Sequence, residues 1–238
     1  LGVDTTVYAP QDRHAARTQL GLPDGFLFGN VNKNQPRKRF DVTLLAFREF
    51  LRRSGAQDAW LYCYCQPHDI GWDLPQLAAY WGLADRVLLP KENMASLEVP
   101  TEDAMPLIYS TLDVQMSTSQ GEGWGLTTME GMACGVPQII PEYAALSEWP
   151  GDAALKVRVS HPIVTTSGTN LVGEFADYRD VATAMCLLYD SETLRTEFAQ
   201  RGYAHVRQPQ FSWDRIAEQF HAILTGVLPC DGSRGHDG

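Results

Sequence analysis

The sequence predicts an α/β fold, a parallel sheet flanked by helices and closed by further helices at the C-terminus. Two observations carry that expectation. From Phe26 onward short apolar runs alternate with amphipathic segments of helical length, the pattern of repeated βα units. The runs themselves are almost uninterruptedly apolar, as strands buried on both faces must be.

Taken in order, the runs are Phe26 to Val31, Trp60 to Cys65, Val87 to Leu89, Val114 to Met116 and Gln138 to Ile140. Between the first two, Val42, Leu45, Phe47, Phe50 and Leu51 recur at three- and four-residue spacing, which predicts a helix over Asp41 to Arg53. Asp41 is its expected N-cap, and Gly55 follows its end. A second helix starts at Asp73, with Pro75 close behind, and stops at Gly82; a third spans Asp103 to Ser110. Leu155 to Gly173 alternates like strand, with Pro162 and Gly168 as expected turn makers, and reads as an inserted excursion. Val181 to Tyr189, Glu192 to Ala204 and Trp213 to Leu224 each carry an apolar helical stripe. Residues 1–229 are expected to form one domain, and 230–238, with three glycines and charges, a flexible tail.

Composition excludes several functions. The 238 residues are 44% apolar, enough for a sizeable core, and carry a formal net charge of −10, which opposes a general nucleic-acid or anionic-membrane surface. No run approaches the roughly 20 apolar residues of a membrane helix, and the N-terminus lacks a signal pattern. Five cysteines, with Cys63 and Cys65 inside a predicted strand, read as reduced core thiols of a cytoplasmic protein. His14, His68, His161, His205 and His221 have no paired ligands or nucleophiles, and no aspartate or histidine cluster offers a metal site. The chain opens on Leu1-Gly-Val-Asp4 without an initiator Met, as a piece of a longer protein would.

The chemistry concentrates in Ser119-Gln-Gly-Glu-Gly-Trp-Gly-Leu-Thr-Thr-Met-Glu-Gly-Met-Ala-Cys-Gly-Val-Pro137. This glycine-rich turn follows a predicted strand and enters a helix expected to end near Cys134, with Gly135 as cap. Such a turn at the carboxyl end of a parallel strand aims the amides of the new helix at the binding crevice, where an anion is favoured. Gly123 and Gly125 allow a diphosphate close to the backbone. Glu122 and Glu130 each offer a carboxylate that accepts two hydroxyl hydrogen bonds, one suited to a sugar and one to a ribose.

The stretch from Glu122 to Pro137 resembles the E-x7-E segment, E-G-F-G-L-x-x-x-E-A-M-A-x-G-x-P, of retaining group-1 glycosyltransferases (family 4) of the GT-B fold. The resemblance implies a Rossmann-like domain, the C-terminal, donor-binding half of a GT-B enzyme. It implies that Glu122 contacts the donor sugar, Glu130 the ribose, and Gly125, Leu126 and Thr127 the diphosphate; Trp124 stands where the family has Phe. Gly29 to Asp41 resembles the family's G-R-L-x-x-x-K-G-x-D loop, with Lys38 and Asp41 in register. That implies Lys33 and Lys38 as the cations neutralising the diphosphate leaving group, with Arg37 and Arg39 as alternates. Arg39 replaces a usual Gly, and Lys33 a usual Arg, so Lys33 cannot grip phosphate bidentately. Weaker likenesses place Leu1 to Asp4 at the interdomain segment, Ala84 to Pro90, with Leu89, at the strand edge receiving the base, and Glu148 after the donor loop. Phe211-Ser-Trp-Asp214 resembles a C-terminal F-S-W motif, with Trp213 expected to be buried.

The resemblance further implies hexosyl transfer from a UDP- or GDP-sugar, metal-independent and without cofactor. The N-terminal acceptor domain would be absent, any membrane contact would belong to that half, and the isolated fragment would be inactive. A nucleotide-sugar epimerase, a phosphorylase or a non-catalytic nucleotide-sugar sensor shares the same architecture.

Overall fold

The computed structural model describes residues 1–90, 104–166 and 170–227. Six strands form one parallel sheet: β1 (Phe26–Val31), β2 (Ala59–Tyr64), β3 (Val87–Leu88), β4 (Val114–Met116), β5 (Gln138–Pro141) and β6 (Leu155–Val157), in the order β3-β2-β1-β4-β5-β6. The chain winds outward from β1 to β3, then returns to place β4 beside β1, so the strand order reverses between β1 and β4. In such a sheet the carboxyl ends of those two strands open a crevice.

Alternation along β1 explains the layering. Phe28 faces helix α2 (Phe40–Ser54), whose Phe47 and Phe50 meet its ring, while Leu27 faces the opposite layer with Tyr109 and Leu112. Each of these buried side chains is worth about 1.5–3 kcal/mol. Helix α1 (Arg13–Leu20), absent from the sequence expectations, is fastened by a buried Arg17 that donates to the Thr111 and Gly25 carbonyls and pairs with Asp113. Helix α3 (Leu74–Tyr80) has the expected Asp73 cap and a left-handed Gly82, and α4 (Ala104–Ser110) matches the third expected helix from Ala104 onward. Asp103 and residues 230–238 lie outside the described residues.

Four expectations are corrected. Asp41 is not the N-cap of α2. The chain enters that helix through Arg39 at φ 54°, whose carbonyl accepts from Val42 and Thr43, while the Asp41 carboxylate accepts from the Arg39 guanidinium at 3.0 Å. The excursion is shorter than expected: Leu155–Val157 joins the main sheet, and the rest is an antiparallel hairpin, β7 (Val159–Thr166) with β8 (Asn170–Ala176). Pro162 is not in a turn but within β7 opposite Glu174, at a register irregularity that tolerates its missing N–H; Gly168 is outside the described residues. Trp213 is 47% exposed, because helix α9 (Trp213–Val227) presents it outward together with Phe220, Ile223 and Leu224.

The remaining α-helices among the described residues are α5 (Leu126–Ala133), the short α6 (Ala145–Glu148), α7 (Tyr178–Asp190) and α8 (Glu192–His205). Among the described residues, no helix is long and apolar enough to cross a membrane, and no group of three metal-ligating side chains converges. Cys63 and Cys134 are buried free thiols, with burial first among the causes that push Cys134 up to about 12.

Candidate functional site

Two loops meet over the carboxyl ends of β1 and β4. The first, residues 32–39, is held from beneath by a buried polar relay. Asn32 donates to Asn30 at 2.7 Å, Asn30 to Thr43 at 2.8 Å, and Thr43 lies 2.6 Å from Thr118, which donates to the Arg39 carbonyl at 2.9 Å. Buried polar groups hold position when every member is paired. This relay ties the first loop to the second, residues 117–125. Polar residues inside a buried strand run are its only signal in the sequence.

A single 3-10 turn, Pro36–Lys38, aims Lys38 inward, and its ammonium contacts Glu122 Oε1. Arg37 Nη1 reaches Glu122 Oε2 at 2.8 Å and the Gly121 carbonyl at 3.2 Å. Burial pushes the Glu122 carboxyl upward, but the Lys38 and Arg37 charges outweigh it and hold it below the usual carboxylate range. Lys38 is also lowered, because burial and neighbouring Arg37 oppose its charge more than Glu122 supports it.

Helix α5 begins at Gly125, left-handed at φ 89°, with no side-chain cap. A Cβ there would come within 2.6 Å of Leu146, so glycine is needed both for conformation and for space. The amides of Leu126 and Thr127 therefore open the helix without a side-chain acceptor, an arrangement that favours an anion. Further along α5, Glu130 accepts from the buried Tyr109 hydroxyl at 2.5 Å. Burial, and then Glu130, push the Tyr109 hydroxyl well above its ordinary value, so it remains a donor.

The structure thus joins Glu122, Lys38 and Arg37, with Gly123 exposed beside them and Gly125, Leu126 and Thr127 at the helix start. Lys33 is exposed on the first loop, and no ion pair engages it among the described residues. The Trp124 ring packs inward, stacked on Trp149 at 5.4 Å and against Phe211, so it supports the loop from behind. Leu89, just past β3, is half-buried at the main core. Glu148 ends α6 beyond the loop.

The family described as glycosyl transferases group 1 matches residues 23–190. A D-inositol 3-phosphate glycosyltransferase of Nocardia farcinica is 31% identical across 95% of this chain and 49% of its own length. One from Rhodococcus opacus is 29% identical across 91% of this chain and 45% of its own. The chain spans about half the length of the curated relatives it matches. Among solved structures, the C-terminal domain of the group 1 family protein LpcC from Francisella tularensis has a TM-score of 0.67 at 21% identity, covering 86% of this chain and 96% of that one. Anabaena HepE, solved in complex with UDP, has a TM-score of 0.73 at 19% identity over 95% of this chain and 56% of its own. At these identities the likeness shows the fold, one Rossmann-like half of the GT-B architecture. Because the family match runs from ahead of β1 to the end of α7 and takes in both loops of the crevice, the chain belongs to the group 1 glycosyltransferases.

Proposed function

We propose that this chain is the donor-binding domain of a retaining hexosyltransferase and holds a nucleoside diphosphate sugar over the ends of β1 and β4. The observation that carries this reading is the convergence of Lys38 and Arg37 on Glu122 beside the uncapped start of α5. Breaking the anomeric carbon–oxygen bond leaves the electron pair on the diphosphate, and preformed cations and amides stabilise that charge. In this reading Leu126 and Thr127 amides, with Gly123 and Gly125 allowing approach, hold the phosphates, and Lys38 and Arg37 meet the leaving group. Lys33 adds charge from the rim, Glu130 accepts from the ribose hydroxyls, Glu122 accepts from the sugar, and Leu89 borders the base. Cations already at the leaving group make the proposed reaction metal-independent.

The solved HepE complexes with UDP and with UDP-glucose favour a uridine nucleotide over a guanosine one. The acceptor site belongs to a further domain of comparable size, in keeping with relatives about twice as long, and transfer takes place in the cytoplasm. Calorimetric titration of UDP, GDP and their sugars, with and without EDTA, tests the reading. Binding to the wild type, weakened tenfold or more by Glu130→Ala or Lys38→Ala and unchanged by EDTA, supports it; no nucleotide binding at all overturns it.

A further inference from the structure

The β7–β8 hairpin stands outside the main sheet, yet it is fastened to the donor loop at one residue. Gln120 is buried, and its amide donates to the Arg37 carbonyl at 2.8 Å. Its carbonyl accepts from the Glu174 amide at 2.9 Å, and its side-chain amide donates to the Leu171 carbonyl at 2.9 Å. Gly173 makes the approach possible, since a Cβ there would lie 2.1 Å from the Gln120 oxygen. Arg39 adds a second tie, its guanidinium lying 4.7 Å from the centre of the Phe175 ring. A cationic loop, a carboxylate loop and a hairpin are thereby locked together.

Where they meet is a cavity of about 310 Å³, walled by Arg37, Glu122, Tyr143, Leu171 and Val172 among others. That lies at the small end of ligand pockets, roughly 300–1,000 Å³. Its walls divide by chemistry. Arg37 and Glu122 contribute charge to the lining, and Leu171, Val172 and the Tyr143 ring contribute carbon, with Val172 71% exposed although apolar. A hexose has the same division, hydroxyls around its edge and C–H groups across its faces. The direction also agrees: the cavity adjoins Glu122 and does not reach Glu130, so it lies at the sugar end of the crevice.

We propose that the β7–β8 hairpin determines donor specificity, laying Leu171 and Val172 against the C–H face of the transferred sugar while Glu122 takes its hydroxyls. This rests on the donor-binding reading above. The quantity to measure is the sugar increment, the ratio of dissociation constants for UDP and UDP-glucose, and likewise for GDP and GDP-mannose, by calorimetry on the 238-residue protein. Val172→Asp, at an exposed position, should leave nucleoside diphosphate affinity within about twofold and cut nucleotide-sugar affinity about fivefold or more. Gly173→Ala, which forces the hairpin off Gln120, should erase the increment in the same way. The proposal is overturned if the increment is unchanged in Val172→Asp, or if both affinities fall together. Failure of the donor reading looks different, because the wild type then binds neither diphosphate nor sugar nucleotide.

Discussion

Replacing Lys38 by Met removes the ammonium from Glu122 while keeping most of the side-chain volume. The two side chains are 9% and 8% exposed, so the pair is scarcely screened by water. Charges about 4 Å apart at an effective dielectric near 20 interact by about 4 kcal/mol. Arg37 stays on the other carboxylate oxygen at 2.8 Å, but at 31% exposure it recovers only part of that. We therefore expect Lys38→Met to cost about 2–3 kcal/mol, below the roughly 3–5 kcal/mol for orphaning a fully buried charge. At roughly 2–4 °C per kcal/mol for a domain of this size, Tm should fall by about 5–10 °C. Glu122→Gln should cost a similar amount, bounded because burial already makes Lys38 easier to neutralise. The double variant should cost little more than either single one, with a coupling of about 2 kcal/mol. Thermal and urea unfolding followed by circular dichroism read all four proteins. Single costs that add to within about 0.5 kcal/mol would refute the claim that these groups form one buried unit.

Arg39 occupies the left-handed region at φ 54°, so Arg39→Ala should be about 1 kcal/mol less stable than Arg39→Gly, both having lost the Asp41 pair and the Phe175 contact. Equal Tm values for the two variants would remove the backbone strain. Gly131→Ala should destabilise by about 1–3 kcal/mol although Ala is the better helix former and stands there in the family pattern. A Cβ at Gly131 would lie 2.2 Å from Gln115 and 2.6 Å from Gln138, and an unchanged urea midpoint would contradict that crowding. The Glu122 carboxyl is held below its ordinary value of 4.5, so its contribution is complete above that pH and fades as pH falls through the folded value. The stability gap between wild type and Glu122→Gln should accordingly shrink as pH falls below the ordinary carboxyl value of 4.5 and on through the lowered folded value; a constant gap would show that the carboxyl is not held down by its partners.

How much of this was legible in the residues depends on how local the determining forces are. The runs from Phe26 to Ile140 identify five buried strands because burial on both faces leaves few polar positions, and α2 shows in the spacing of Val42, Phe47 and Phe50. The glycines at 123 and 125, between the carboxylates at 122 and 130, mark a glycine-rich turn into a helix from composition and spacing alone, and α5 does open there.

Long-range contacts settled the rest. That Glu122 is tied to Lys38 and Arg37 depends on β1 and β4 becoming neighbours across more than eighty residues of chain, which no local pattern encodes. Asp41 looks like a cap until Arg39 turns left-handed and claims its carboxylate. Leu155 to Val157 has the same alternation as the hairpin after it, and only hydrogen bonding to β5 makes it a sheet strand. Chain-local periodicity reports which side of an element is buried; what it is buried against is decided by the packing of elements far apart in sequence, and the crevice is made there.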